Sequence, residues 1–268
     1  MKNDKGFKYQ EYEIIDKEEL APETFLFTLQ GKFDFLPGQF VQAMLPRYGN
    51  ITLAPCSDPE NKTSFQLCVR SAGSASLKIN ELSPGDNLKI RGPYGKGWPI
   101  SALLGKNVTL IAGGMGLVPL RPLLNYLAKY RSEYKKINIL AGFRTDHHII
   151  FRDELLKLKK KFSEEDIVVE HIIDKDFPAT QGLITDPLKK IKFDKNSVVL
   201  ICGPEVMTDH CIPILVNASV DEKNIFISYE RRMECGIGMC QHCNIGKYKV
   251  CEDGPVFSYD KIKSELDK

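Results

Sequence analysis

The feature that most constrains this chain is a group of cysteines near its C-terminus. Four of its eight cysteines lie close together there: Cys235, Cys240, Cys243 and Cys251. Iron–sulfur clusters are held by four thiolates, and a C-x4-C-x2-C…C spacing is typical of a plant-type [2Fe–2S] site. Gly236 and Gly238 would let the backbone fold tightly and turn amide N–H groups toward the sulfur atoms. The spacing therefore predicts that these four cysteines are metal ligands.

Structural zinc is the alternative interpretation of the same cysteines. Zinc ribbons usually carry two C-x2-C knuckles, and this stretch has only one. His242 lies between two of the cysteines, but four thiolates already suffice, so we expect it to be a bystander. Cys211 lies on a predicted helix far from this group, and we expect it to be packed rather than reactive.

The composition excludes several classes of protein. The chain has 268 residues with a net charge of +2, 43% hydrophobic residues and 27% charged residues. These values argue against a disordered or fibrous protein, and no strong electric field points to nucleic acid or a membrane surface. The charged start lacks the apolar core of a secretory signal, and no apolar run approaches the ~18 residues of a spanning helix. We expect a cytoplasmic protein rather than a disulfide scaffold.

Two patterns of secondary structure follow one another along the chain. Residues 8 to about 100 contain five short β-rich stretches and one short helical stretch near 74–82, which predicts a small antiparallel barrel. From Asn107, apolar strands alternate with helices, including a charged helix over 151–162, which predicts a parallel sheet covered on both faces. The last 40 or so residues lose this alternation. We therefore expect three units: a barrel over 1–102, a parallel-sheet nucleotide-binding domain over 103–228, and a C-terminal [2Fe–2S] segment over 229–268.

Two glycine-containing turns follow strands of the predicted parallel sheet. Gly113, Gly114 and Gly116 come between a strand and a helix, where a dinucleotide pyrophosphate can approach bare backbone. The spacing is not G-x-G-x-x-G, so a tight connection is an equally good interpretation of this turn alone. Residues 202–204 end a later strand, and both turns would share one sheet edge. Arg144, after a third strand, would suit a ribose phosphate or simply face solvent.

The barrel region contains two further turns of interest. Arg70 and the small residues 71–76 stand at a predicted helix start, which suits a diphosphate. An ordinary serine-capped helix is an equally good interpretation. The other turn, TLAPCS at 52–57, lies between two predicted strands. These residues alone do not identify a flavin site.

With these segments, the chain resembles members of the ferredoxin–NADP reductase superfamily over nearly its whole length. The matching motifs are FLPGQF at 35–40, RGPYG at 91–95, GGMG at 113–116 with Pro119, and CGP at 202–204. The tail, from YERRM at 229–233 to CEDGPVF at 251–257, is similar to the ends of cytosolic sulfhydrogenase gamma subunits and of the iron–sulfur electron-transfer subunits of anaerobic sulfite reductases. The electron-transfer subunit of dihydroorotate dehydrogenase is a more distant resemblance.

The resemblance implies an NAD(P)H-linked oxidoreductase that passes electrons from NAD(P)H to FAD, to a [2Fe–2S] cluster and then to a catalytic partner subunit, or in reverse. No residue need act as an acid or base on substrate. The implied FAD-binding residues are Ala54, Pro55, Cys56, Ser57, Val69, Arg70, Gly73, Ala75 and Ser76. The implied NAD(P)-binding residues are Gly113, Gly114, Gly116, Pro119, Arg144, Cys202, Gly203 and Pro204.

The resemblance leaves the partner open. Anaerobic sulfite reductase and a cytoplasmic nickel–iron sulfhydrogenase rank nearly level, because the YERRM run resembles the first and PCSDP at 55–59 with QLCVR at 66–70 resembles the second. A dihydroorotate dehydrogenase or another flavin-based complex is a further alternative. A different class, a non-enzymatic binding module held together by zinc, also stays open at this point.

The chain departs from the superfamily in one motif, the R-x-[YFI]-S that usually precedes the flavin. The segment TLAPCS has no arginine. If Ser57 takes the usual serine role, Ala54 falls where the arginine would be. In the other register, which matches the C-S-x-P of sulfhydrogenase-like chains, Ala54 replaces the serine itself.

Overall fold

A computed structural model of the chain describes residues 8–158 and 179–266 in full and the backbone of 164–171. Its first sheet has six antiparallel strands: β1 (Gln10–Ala21), β2 (Thr24–Gln30), β3 (Phe40–Leu45), β4 (Gly49–Leu53), β5 (Ser64–Arg70) and β6 (Asn87–Tyr94). Their order is β4-β3-β6-β1-β2-β5. Pro55, just after β4, pairs with Leu67 of β5 and so joins the two edge strands. The predicted antiparallel barrel is confirmed.

Aromatic and branched side chains fill the interior of this barrel. Phe33 stacks on Phe65 with ring centroids 4.6 Å apart, and Tyr12 meets Phe65 edge-on at 4.9 Å. Such ring pairs stabilise a core beyond the area they bury. The predicted helix is α1 (Ser74–Asn80). Strand β4 was not among the five predicted strands, because most of its residues are half-buried and show no inside–outside alternation.

The second sheet is built around six parallel strands: β7 (Asn107–Gly113), β8 (Ile137–Thr145), β9 (Glu164–His171), β10 (Thr180–Gln181), β11 (Ser197–Cys202) and β12 (Ile225–Ser228). The helices along this part of the chain are α2 (Ile100–Leu103), α3 (Leu117–Lys129), α4 (Arg152–Leu158), α5 (Thr185–Leu188) and α6 (Glu205–Asn217). Every residue of β11 is buried, as in a sheet covered on both faces. The predicted helix over 151–162 is seen as α4, and its residues 159–162 lie outside the described residues.

The strand order of this sheet places a switch point at its centre. Its first strand, β7, lies between β8 and β11, and from there the chain winds outward in both directions. In open sheets of this kind, ligands bind beyond the carboxyl ends of the strands at the switch point. Gly113 and Cys202, which end β7 and β11, therefore mark the edge where a ligand is expected.

The C-terminal segment contributes one strand to the second sheet, which the sequence did not predict. It contains β13 (Asn244–Ile245), β14 (Tyr248–Lys249), α7 (Val250–Asp253), β15 (Val256–Ser258) and α8 (Tyr259–Leu266). Strand β15 pairs antiparallel with β12, with Ser228 opposite Val256. Residues 229–255, called here the cluster loop, therefore leave the sheet and return to it at one point.

Helix α3 connects the second domain to the barrel. The Trp98 indole N–H donates to the Pro119 carbonyl at 2.9 Å. The Arg121 guanidinium donates to the Cys56 carbonyl at 3.0 Å and to Gln66 Oε1 at 2.8 Å, and it pairs with Glu154 at 2.7 Å. These mostly buried polar contacts have satisfied partners, so they fix one orientation of the two domains. Among the described residues, no helix combines the length and the apolar character needed to cross a membrane.

Replacing Ile262 with Ala tests the docking of the C-terminal segment on the sheet. Ile262 is fully buried on α8, so the variant leaves a cavity and should lose about 2 to 5 kcal/mol of unfolding free energy in a urea titration. Lys261→Ala, at the exposed neighbouring position, is the matched control and should change little. A loss below about 1 kcal/mol for the Ile262 variant would mean that α8 is not held against the sheet.

Candidate functional site

Three adjoining pockets follow the switch point of the sheet into the space between the domains. The first, called here the nucleotide pocket, has a volume of about 440 Å³. The second, the middle pocket, has about 250 Å³, and the third, the interdomain pocket, about 260 Å³. Their sizes are those of ordinary cofactor subsites.

The nucleotide pocket lies at the carboxyl ends of β7, β8 and β11. Gly113, Gly114 and Pro204 form one side, and the side chains of Arg144 and His210 also line it. The first turn of α3 has no acidic residue, so the positive end of the helix is available to an anion. Bare backbone, a helix N-terminus and two basic side chains suit a dinucleotide.

The middle pocket requires a very close approach of the two glycine-containing turns. A Cβ on Gly116 would lie 2.0 Å from the Cys202 carbonyl oxygen, so only glycine fits there. Gly203 and Pro204 line the pocket, whereas Cys202 is fully buried behind it. Burial raises the pKa of the Cys202 thiol, so this side chain stays protonated and contributes packing. The structure thus brings the two predicted turns together at one edge.

The interdomain pocket is formed by all three parts of the chain. The barrel contributes Thr52, Leu53, Ala54, Cys68 and Arg70, among others. The second domain contributes Met115, Val118 and Pro119, and the cluster loop contributes Tyr229, Glu230, Arg231 and Met233. Arg70, Met115, Tyr229 and Glu230 line the middle pocket as well, so the two pockets meet at these residues.

Within TLAPCS, the structure separates residues that face the interdomain pocket from residues that do not. Ala54 lines the pocket, while Pro55 joins the barrel edges. Cys56 is fully buried, and burial raises its pKa to about 11 although Arg121 opposes this effect. The Ser57 hydroxyl accepts the Gln66 backbone N–H at 3.2 Å and so points into the barrel. The pocket therefore faces residues 52–54.

The remaining barrel candidates lie in two places. Arg70 lines both the middle and the interdomain pockets, whereas Val69 is buried in the barrel core. The Ser76 hydroxyl accepts the backbone N–H groups of Ala72 at 2.9 Å and Gly73 at 3.0 Å. Ser76 therefore closes the turn before α1, and Gly73 and Ala75 are not among the residues that line the three pockets.

The sequence did not predict Tyr229 and Glu230 as pocket residues. They directly follow β12, so they stand at the same carboxyl edge as the two glycine-containing turns. Glu230 lines both the middle and the interdomain pockets, and its side chain is open to the cleft. The surrounding pocket walls desolvate the carboxyl and so raise the pKa of Glu230, and the charge of Arg70 opposes this rise. Ligands of such sheets bind beyond the carboxyl ends of the strands, so assigning β12 from the sequence would have identified both residues as candidates.

Three of the four C-terminal cysteines lie between β12 and β13 in the cluster loop, and Cys251 lies on α7. Cys243 and Cys251 are buried, and Cys235 and Cys240 are partly exposed. Gly236 and Gly238 have φ of 70° and 74°, a conformation that favours glycine. The backbone N–H groups of Met239 and Cys240 donate to Cys235 Sγ at 3.3 and 3.4 Å, and that of Gly238 donates to Cys251 Sγ at 3.1 Å. The expected turning of N–H groups toward sulfur is confirmed.

The thiols in this loop form two pairs. Cys240 contacts Cys235, and Cys251 contacts Cys243. The His242 backbone N–H lowers the pKa of Cys240, whereas burial raises the pKa of Cys251 to about 12. Among the described residues, no three metal-binding side chains surround one point. Two thiol pairs with N–H donors fit a cluster of two irons, each of which takes two thiolates.

Comparison with known protein families agrees with this geometry. Residues 11–98 match the oxidoreductase FAD-binding domain, and residues 110–212 match the oxidoreductase NAD-binding domain. Residues 230–263 match the iron–sulfur cluster binding domain of dihydroorotate dehydrogenase B. The iron–sulfur match removes the zinc-stapled binding module as an alternative.

Similar proteins cover nearly the whole chain. The sulfhydrogenase 1 gamma subunit of Pyrococcus furiosus is 37% identical over 267 residues, with 94% of this chain and 89% of that protein covered. The probable electron transfer subunit of dihydroorotate dehydrogenase B from Thermococcus kodakarensis is 32% identical, with 94% and 98% covered. A solved structure of an NADH-dependent reduced ferredoxin–NADP oxidoreductase has the same fold, with a TM-score of 0.76, 24% identity and 95% and 92% coverage.

The fold and the site define an FAD- and NAD-binding oxidoreductase that ends in an iron–sulfur segment. The chain belongs to the family of iron–sulfur electron-transfer subunits, within the ferredoxin–NADP reductase superfamily, that includes the sulfhydrogenase gamma subunits and the electron transfer subunits of dihydroorotate dehydrogenase B. The predicted fold class, electron-transfer role and cofactors (FAD, a nicotinamide dinucleotide and an iron–sulfur cluster) are confirmed.

Replacing Gly116 with Ala tests the close approach at the middle pocket. The added Cβ has no room beside the Cys202 carbonyl, so the two turns must separate, and the KM for the nicotinamide dinucleotide should rise by ~10-fold or more. Gly105→Ala is the control, because Gly105 has nothing within 4 Å of its Cβ position; its φ of 67°, against −61° for Gly116, adds backbone strain but no clash. Unchanged KM in the Gly116 variant would contradict the assignment of this turn to the dinucleotide.

Proposed function

We propose that the chain oxidises NAD(P)H at the middle pocket, holds FAD in the interdomain pocket, and passes electrons through the cysteines of the cluster loop to a catalytic partner subunit, each step being reversible. One observation carries this order. The middle and interdomain pockets share Arg70, Tyr229 and Glu230, and Met233 of the interdomain pocket lies two residues before Cys235. A bound flavin supplies the chemistry that connects the ends, because it takes two electrons as a hydride and releases them singly.

In this proposal, the second domain binds and orients the nicotinamide dinucleotide. The backbone of Gly113, Gly114 and Gly116 receives the pyrophosphate at the start of α3, and Arg144 contacts a ribose phosphate. Gly203 and Pro204 hold the nicotinamide end, with Cys202 buried behind them and Pro119 on the adjoining wall of the cleft. No side chain acts as an acid or base on substrate, so the protein contributes orientation and exclusion of water.

The barrel holds the flavin in the same proposal. Arg70 gives a guanidinium to the diphosphate, next to the turn of Gly73, Ala75 and Ser76. Ala54, which lines the interdomain pocket, would take the serine position of the superfamily motif. Support for placing Ala54 rather than Ser57 at the serine position comes from the Ser57 hydroxyl, which accepts the Gln66 backbone N–H inside the barrel. Val69, Pro55 and Cys56 then shape the site from behind rather than touching its ligand.

Cys235, Cys240, Cys243 and Cys251 are the proposed ligands of the [2Fe–2S] cluster. The partly exposed pair, Cys235 and Cys240, would face the partner and solvent, and the buried pair would face the sheet. Backbone N–H donors to sulfur stabilise the additional negative charge of the reduced cluster. The loop therefore favours a cluster that accepts and gives one electron.

We propose a hydrogenase-type catalytic subunit as the partner, in the cytoplasm. The relatives carry the names gamma subunit and electron transfer subunit, so they are parts of larger complexes. The chain is 37% and 36% identical to two sulfhydrogenase gamma subunits, in each case over 94% of its length, which supports the hydrogenase type. Anaerobic sulfite reductase is the second candidate, supported by the YERRM run, and dihydroorotate dehydrogenase is the third. Purification of the tagged chain from its own cell tests the choice, and a nickel-containing subunit is the expected companion.

Replacing Cys240 with Ala tests the order of electron carriers. The variant loses one thiolate of the partly exposed pair, so reduction of the partner should fall to background while NADH-dependent dye reduction by the flavin is largely kept. Cys211→Ala, at a buried cysteine on α6 outside the cluster loop, is the control and should keep both activities. Loss of dye reduction in a folded, flavin-loaded Cys240 variant would show that the order is wrong.

A further inference from the structure

The part of the cluster loop that leads to Cys235 has no secondary structure of its own. Between β12 and β13, residues 229–243 form neither strand nor helix. Carbonyl groups in such a segment need partners from elsewhere, because an unpaired polar group taken out of water costs free energy. The carbonyls of Met233, Glu234 and Cys235 find theirs on the outer wall of the barrel.

Gln42 is the central donor. It lies on β3 and is fully buried. Its amide Nε2 donates to the Met233 and Glu234 carbonyls, each at 2.9 Å. Its Oε1 accepts from Asn50 Nδ2 at 2.9 Å and from the Arg91 guanidinium. Every hydrogen of this amide group is thus used to hold the loop.

Arg91 supplies a charge at the same place. It lies opposite Gln42 on β6. Its Nη2 donates to the Cys235 carbonyl at 3.2 Å and reaches the Glu234 carbonyl at 3.5 Å. The guanidinium also stacks on the Tyr9 ring at 5.0 Å. In the described part of the chain, the hydrogen-bond acceptors of this cation are all neutral oxygens.

We propose that Gln42 and Arg91 are positioning residues for the cluster: they fix the Cys235 backbone to the barrel, and the Arg91 charge raises the reduction potential of the cluster that Cys235 would hold. This inference rests on the proposed function, because it takes Cys235 as a ligand. It goes beyond that function because it proposes that side chains of the barrel set the distance between the interdomain pocket and the cluster.

The direction of the effect on the potential follows from electrostatics. Reduction adds one electron to the cluster and neither makes nor breaks a bond, so the cluster gains one negative charge. A cation bonded to the main chain of a ligand residue stabilises that charge more than it stabilises the oxidised state. Removing the positive charge of Arg91 should therefore lower the midpoint potential of the cluster. Replacing Arg91 with lysine, which keeps the charge, should not lower it.

Three variants separate position from charge. Arg91→Met removes both the charge and the hydrogen bonds, and Arg91→Lys keeps the charge without the planar fork. Lys89→Met is the matched control, because Lys89 stands two positions earlier on the same strand and pairs with Glu11 instead. It removes one positive charge from β6 without touching the cluster loop.

Two measurements read the variants. Hydrogen exchange of residues 233–240 in the cluster-free protein should become faster in Arg91→Met and Arg91→Lys and stay unchanged in Lys89→Met. In the reconstituted protein, titration of the cluster's EPR signal should give a more negative midpoint for Arg91→Met alone. If the Met variant fails to fold, Arg91→Lys still tests the positioning role by exchange, and Arg91→Gln replaces the Met variant in the titration of the midpoint.

Each result decides one part of the proposal. Unchanged exchange in both Arg91 variants overturns the positioning role, and a midpoint of Arg91→Met equal to that of the unchanged protein overturns the role of the charge. An equal shift in Lys89→Met also overturns it, because the effect would then be general. Absence of a [2Fe–2S] signal in the unchanged protein contradicts the proposed function instead. The exchange measurement uses cluster-free protein, so its result does not depend on that signal.

Discussion

The arrangement of the whole site depends on how the cluster loop is closed at its base. Ser228 and Val256 are paired across β12 and β15, so the loop starts and ends at one point of the sheet. At this base the Tyr229 N–H donates to the Pro255 carbonyl at 2.9 Å, and the Lys96 N–H of the barrel side donates to the Gly254 carbonyl at 2.5 Å. Both domains therefore hold the same few residues. This shared base places the cluster loop beside the interdomain pocket, whose lining includes Tyr229, Met233 and Pro255.

Polar contacts, together with apolar packing of Leu26 and Trp98 in the core of the second domain, fix the relation between the barrel and the rest. Arg121 joins α3 to the barrel through the Cys56 carbonyl and Gln66, and Gln42 joins the barrel to the cluster loop. Hydrogen bonds are directional, and leaving a buried partner unpaired is costly, so such contacts specify one geometry more sharply than an apolar surface can. Electron transfer between bound cofactors requires this kind of fixed relation, because the reactive atoms must stay in place.

Much of the fold and part of the site could be predicted from the sequence, for physical reasons. The apolar strands of the sheet, such as β7 and β11, are almost entirely buried and read clearly as hydrophobic runs, and the cysteine spacing is specific to its chemistry. The return of the chain as β15 could not be predicted, because three residues show no periodicity. Gln42 was missed because a buried polar residue in a strand reads as an outward-facing one. The orientation of Ala54 and Ser57 depends on barrel closure at Pro55, a long-range contact that local sequence does not encode.

The central claim is that electrons enter at the nicotinamide end, pass through the flavin between the domains and reach the cluster last. Rapid mixing of NADH or NADPH with cluster-loaded protein under anaerobic conditions, with and without FAD, tests it most directly. We expect that flavin absorbance bleaches before the cluster's EPR signal appears, and that the cluster of the flavin-free protein stays oxidised. Reduction of the cluster at the same rate without flavin would contradict this order.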